Sequence, residues 1–251
     1  MFTVVELTEE KRMSFFDFAR IFRRSKAEIT ETDIGNGKSF YVCRAEVRKG
    51  KIPFEEIEKA SPSKIFLLPT DVAEKAQIKV FVPKQLPQIM LFNSAVEYIK
   101  EKSLPPTKTQ ITIIDREGIY VDKFKVIIKL ASHITVITTD KRYRNLSDEL
   151  LSAFGLSLII RKEFYDDKAE NQFLFDYNAE SIPLSYKGTA FSREKKHLLN
   201  GKSLTPGGFD LPEKYEKLRS KNINKLHFAS ALYELCRVKE LSALKFNELC
   251  C

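Results

Sequence analysis

The chain has 251 residues, 43% of them hydrophobic and 30% charged, and carries a formal net charge of +8. That length admits one large domain or two small ones with a substantial core, and that apolar fraction excludes a disordered chain. No apolar run approaches the roughly 20 residues that span a bilayer, and "MFTVVELTEEKRM" lacks the basic start, long apolar stretch and small-residue cleavage site of a secretory signal. The expected location is therefore cytoplasmic, with no membrane partner.

The opening "TVVELT" has the pattern of a strand. In "MSFFDFARIFRRS", Phe15, Phe18, Ala19 and Phe22 recur at i, i+3, i+4 and i+7, which predicts a helix. "AEITETDIGNGKSFYVCRAEV" then alternates about a Gly-Asn-Gly turn and predicts a β-hairpin. Its Gly-Lys-Ser at 37–39 is not the end of a phosphate-binding P-loop, because Thr32 stands where the first glycine is required and β-branched and aromatic residues follow. A second Gly-Lys-Ser at 201–203 fails in the same way, with Lys196 at the glycine position.

"KIFLLP" and "IKVFVP" are short apolar runs closed by Pro69 and Pro83, as buried strands are. A helix follows in "QIMLFNSAVEYIKEK", where Phe92, Ala95, Val96 and Ile99 form one stripe. The prolines of "SLPPTKTQ" then mark the expected boundary between a mixed α/β region (1–106) and a second domain (107–251).

That second domain carries the clearest pattern. "ITIID" (111–115), "ITVITT" (134–139) and "LSLIIR" (156–161) are apolar on both alternating faces. Between them lie two amphipathic stretches: "GIYVDKFKVIIKLA", striped by Phe124, Ile127, Ile128 and Ala131, and "NLSDELLSAFG", with Asn145 or Ser147 as its cap and Gly155 past its end. Strands buried on both faces and joined by single helices predict a Rossmann-like three-layer α/β unit with a mostly parallel sheet. "FLFDYN" adds a strand. The stretch from 188 to 210 has the composition of a loop, and the remainder, striped by Leu226, Ala229, Leu232, Tyr233 and Cys236, predicts a cap of C-terminal helices on that sheet.

Ligands of parallel sheets gather beyond the carboxyl ends of strands. That rule selects Asp115, Arg116, Glu117 and Gly118 after the first strand, Thr138, Thr139 and Asp140 after the second, and Arg161 with Lys162 after the third. No Gly-x-Gly-x-x-Gly follows any of them, so no NAD or FAD site is expected. Nor do the four cysteines (43, 236, 250, 251) or three histidines (133, 197, 227) fall at metal-ligand or nucleophile-base spacing, and no zinc site is expected.

"IIDREGI" resembles the first motif of the haloacid-dehalogenase-like phosphatases, and "TVITT" resembles their second. The resemblance implies that Asp115 attacks phosphorus, that the residue two on, here Glu117, protonates the leaving group, and that Thr138 holds the phosphoryl group. It further implies a basic residue at Arg161 or Lys162 and a magnesium ion held by Asp166 and Asp167. The chain departs from that pattern at Glu117, where aspartate is usual, and at Ile119, where threonine is usual. Its 23-residue interval between strands also leaves no room for the family's flap. Read from the residues alone, Asp115 to Gly118 form a connecting turn.

Charge offers one further candidate. Between 187 and 225, ten basic residues face four acidic ones, and Arg193, Lys195, Lys196 and Lys202 are the expected contacts to a polyanion such as nucleic acid. The leading expectation is a binding or regulatory α/β protein without standard cofactor motifs, with a phosphorylated small ligand or a protein as its partner. Phosphoryl chemistry at Asp115 and polyanion binding are the alternatives.

Overall fold

The computed structural model describes residues 1–9, 27–47, 50–164 and 171–251. The helix expected around Phe15 to Phe22 and the Asp166–Asp167 pair lie outside the described residues. The chain forms two compact units, one of residues 1–86 with 211–241 and one of 87–210 with 242–251. The division falls at 86/87 and not at the paired prolines near 106, which instead separate a helix from a strand within the second unit.

In the first unit β1 (Thr3–Glu9) is followed by the expected hairpin, β2 (Glu28–Gly35) and β3 (Lys38–Val47). Gly35, Asn36 and Gly37 all adopt positive φ at its turn, which accounts for the Gly-Asn-Gly. Next come α1 (Phe54–Ala60), β4 (Phe66–Leu67) and α2 (Thr70–Ala73). The sheet order is β2-β3-β1-β4, with only the hairpin antiparallel. "IKVFVP" contributes a single bridge, Val80 to Phe66, and no strand. One core cluster gathers Val5, Cys43, Ala45, Ile57 and Phe66.

The second unit starts within α3 (Gln85–Glu101), whose Phe92, Ala95, Val96 and Ile99 are buried as their spacing predicts. It continues through β5 (Thr109–Ile114), β6 (His133–Ile137), α4 (Arg142–Phe154), β7 (Ile159–Arg161), β8 (Asn171–Phe175), β9 (Thr189–Phe191) and β10 (Lys202–Pro206). The strand order is β7-β6-β5-β8-β9-β10, parallel throughout. This is the doubly wound order of the Rossmann fold. Both faces are covered. Phe92 and Tyr98 of α3 pack on Phe175 and Phe191, while Leu174 and Ala190 join Ile182, Tyr186 and Leu198 in a separate cluster.

Several sequence expectations are corrected here. Residues 188–210 are not all loop, since they contain β9 and β10, strands too short and too rich in small polar residues to stand out. Residues 121–126 form a 3-10 turn and not an α-helix. Val121, Val126, Ile127 and Ile128 crowd that stretch with β-branched side chains, which lower helix propensity, although Phe124, Ile127 and Ala131 are buried as expected. α4 begins at Arg142, one turn before the expected cap, and ends at Gly155 in the left-handed conformation.

The chain then returns to the first unit as α5 (Glu213–Glu216) and α6 (Lys225–Glu234). Asn224 caps α6 by accepting from the amides of Leu226 and His227. Within the first unit, Phe228 of α6 packs edge-on against the stacked rings of Phe2 and Phe40. Asn93 and Ser94 of α3 receive the final segment through the backbone of residues 242–246. That segment ends in β11 (Leu249–Cys250), antiparallel to β10. Among the described residues no helix is long and apolar enough to cross a membrane.

Candidate functional site

A doubly wound sheet opens a crevice where its connections leave in opposite directions. Here the reversal lies between β5, which leads to β6 and β7, and β8, which leads to β9 and β10. A crevice of about 110 Å³ opens at that point. Its lining comes from Gln88 of α3, from Ile114, Asp115, Arg116 and Glu117 after β5, and from Asp176, Tyr177, Asn178, Glu180 and Ser181 after β8. Pockets that enclose a drug-sized ligand run to roughly 300–1,000 Å³, so this one suits a small molecule or one group of a larger one.

Asp115 is 3% exposed, and both of its oxygens are engaged. Oδ1 accepts from the amide of Ile119 at 2.9 Å, and Oδ2 accepts from the amide of Tyr120 at 2.8 Å and the phenol of Tyr143 at 2.6 Å. The carboxylate thus satisfies two backbone amides of the turn after β5, donors of the kind that otherwise attract an anion. Burial, and then the neighbouring Asp115 charge, push the phenols of Tyr120 and Tyr143 well above the usual tyrosine range. Both therefore act as neutral hydroxyls.

Gly118 has φ +67°, and a side chain there would collide with the Arg142 guanidinium and the Asp140 carboxylate. Arg142 grips Asp140 through Nε at 3.1 and 3.0 Å and donates from Nη2 to the carbonyl of Glu117 at 2.8 Å. The hydrogen bonds from Arg142 hold the Asp140 carboxyl below the usual carboxylate range. Thr138 is buried with its hydroxyl accepting from the Asp140 amide at 3.0 Å, and its own amide donates to the carbonyl of Arg161. Thr139 is exposed and Arg161 half-buried. Of the expected site residues, Asp115, Arg116 and Glu117 line the crevice, and Gly118 and Asp140 meet through Arg142. Thr138, Thr139 and Arg161 are not among the lining residues.

The basic candidates divide between the two ends of the sheet. Arg193 and Lys196 follow β9 at its carboxyl end: the Arg193 amide donates to Tyr177 at 2.8 Å, and Lys196 Nζ donates to the Ala179 carbonyl at 2.6 Å. Lys195, between them, is exposed. Lys202 begins β10 opposite Thr189, at the amino end of β9. The four do not share one face.

Sequence reasoning missed the β8 half of the crevice. Asp176 is 4% exposed and accepts from the amide of Ser181 at 2.7 Å and from that of Asn178. Burial raises its carboxyl above the usual range. The signal was available, since "FLFDYN" reads as a strand ending on an aspartate. That strand, however, lies outside the even spacing of the three strands before it.

Among the described residues no three His, Cys, Asp or Glu side chains are placed to hold a metal. Asp166 and Asp167, to which the phosphatase resemblance assigns magnesium, lie outside the described residues.

No protein-family model matches the chain, and no curated protein matches it. Among solved structures the chain is similar to the L-tryptophan dehydrogenase of Nostoc punctiforme, at 12% identity and TM-score 0.34 over 81% of this chain and 62% of that one. It is similar to the ornithine carbamoyltransferase of Pyrococcus furiosus, at 12% identity and TM-score 0.30 over 80% and 75%. It is also similar to the Thermococcus litoralis Δ1-pyrroline-2-carboxylate reductase solved with NADH and L-proline, at 12% identity and TM-score 0.30 over 44% and 39%. The chain spans less than two thirds of the length of the reductase and of the dehydrogenase.

Proposed function

We propose that this α/β protein is a binding protein whose ligand is small and positively charged, held in the crevice between β5 and β8. The observation that carries this reading is the charge of the lining. Four carboxylates, Asp115, Glu117, Asp176 and Glu180, stand against one guanidinium, Arg116, in a chain whose formal net charge is +8. Such a crevice repels phosphate and favours an ammonium or guanidinium group. The amides that could have attracted an anion after β5 are satisfied internally by Asp115. The same engagement argues against Asp115 as a nucleophile, which would have to leave three donors to attack.

A thermal-shift screen tests the reading. Agmatine, arginine and spermidine are compared with NADH, inorganic phosphate and a sugar phosphate at matched ionic strength. A ligand at 100 times its dissociation constant adds about 2.7 kcal/mol, or roughly 5–11 °C in a chain of this size. The expected result is a shift with a cationic compound that is lost in the Glu117→Gln/Glu180→Gln variant. Stabilisation by the phosphates or NADH alone, or an undiminished shift in that variant, would overturn it.

A further inference from the structure

Half of the crevice wall is a single short segment, residues 176–181, and its backbone is strained. Ala179 has φ +59°, a region that side-chain-bearing residues avoid and that persists only where surrounding contacts over-determine it. Three holds do so. The Asp176 carboxylate accepts the Ser181 amide at 2.7 Å, the Asp176 carbonyl accepts the Ala179 amide at 3.0 Å, and Lys196 Nζ donates to the Ala179 carbonyl at 2.6 Å. The lysine works from a fixed support, because its own amide donates to Ser203 Oγ in β10 at 3.0 Å.

We propose that residues 176–181 form a clasp on the crevice, held in its strained closed form by Asp176 from within and by Lys196 from the β9–β10 connection. This rests on the crevice being the ligand site and adds its regulation. The closed clasp presents Tyr177, Asn178, Glu180 and Ser181 to the crevice. Letting go of either hold allows Ala179 to relax to ordinary φ and dismantles that wall. The ligand-competent state is thus one of two backbone states of a six-residue segment. Any compound that competes for the Lys196 ammonium or the Ala179 carbonyl opens it.

Amide hydrogen exchange on the full chain tests the clasp without a ligand. Lys196→Met keeps the aliphatic stem and removes the ammonium. It should raise exchange at 177–181 about tenfold, the effect of losing one charge-assisted hydrogen bond, and leave the amides of β5 and β8 unchanged. Asp176→Ala should open the same residues. Unchanged exchange at 177–181 in Lys196→Met overturns the clasp, and so does a rise spread over the whole second unit, which would make the lysine a general brace. These outcomes are separate from the binding reading. Failure of every amine to bind leaves the exchange result intact, whereas amine binding of equal strength in the wild type and Lys196→Met sinks the clasp alone.

Discussion

The phenol of Tyr143 donates to Oδ2 of Asp115 at 2.6 Å, joining the first turn of α4 to the turn after β5 across 28 residues of sequence. Both groups are buried, so the bond has no competition from water. It fixes the carboxylate that in turn fixes the backbone of Ile119 and Tyr120. Tyr143→Phe should destabilise the chain by about 2 kcal/mol, the usual loss for a buried hydrogen bond to a charged acceptor. Asp115→Ala, which strands three donors, should cost about 3 kcal/mol or more. Urea denaturation checks both, and a Tyr143→Phe loss under about 0.5 kcal/mol would show that the bond contributes little.

Gly118→Ala is expected to be unusually damaging for a single methyl. The position needs positive φ and has no space beside the Asp140–Arg142 pair. A loss of about 2–3 kcal/mol is expected, combining backbone strain with displacement of the ion pair. Arg142→Ala in the same chain should return part of that loss, since it removes one of the two obstructing groups. Additive losses in this double-mutant cycle would contradict the steric account.

Glu234 caps α3 from a distance. Its Oε1 accepts from the amides of Lys84, Gln85 and Leu86 at 3.1, 2.9 and 3.2 Å, placing negative charge where the helix dipole favours it. Glu234→Ala should cost about 1–2 kcal/mol and Glu234→Gln about half of that. Thermal melting of both variants at low and high salt reads the charge contribution separately, because screening weakens it.

The elements legible in the sequence were those with strong, regular signals. The apolar runs of β5 and β6, the stripe of Phe92 to Ile99 in α3 and the closing Gly155 of α4 each follow from burial or capping. What was not legible depended on contacts distant in sequence. A stripe of Phe124, Ile127 and Ala131 serves a 3-10 turn as well as a helix. "GTAF" and "KSLTP" become strands only because β8 offers them an edge. Nothing local told α6 to pack on Phe2 and Phe40. For the same reason half of the site was visible: Asp115 lies in a recognisable strand end, whereas its pairing with Asp176 depends on strand order.

Asp176 also provides a pH test. Burial lifts its carboxyl above the usual carboxylate range; Glu180 adds to the rise, and the Ser181 and Asn178 amides and Lys196 oppose it. Tyr120 faces it from the turn after β5. The folded chain therefore holds this proton more tightly than the unfolded chain. Unfolding free energy should fall as pH rises from the usual carboxylate range through the raised value. Asp176→Asn, which cannot ionise, should remove that slope. Urea denaturation of both proteins at closely spaced pH values checks it, and parallel curves would contradict it.

The most direct test of a cation-binding crevice is charge reversal read by isothermal titration calorimetry. Wild type and Glu117→Lys/Glu180→Lys are each titrated with spermidine and with inorganic phosphate. The crevice account predicts that reversal weakens spermidine at least about tenfold, two removed attractions of roughly 0.7 kcal/mol each being sufficient, and that only the reversed protein gains affinity for phosphate. Equal spermidine affinity in both proteins, or phosphate binding to the wild type, would contradict it.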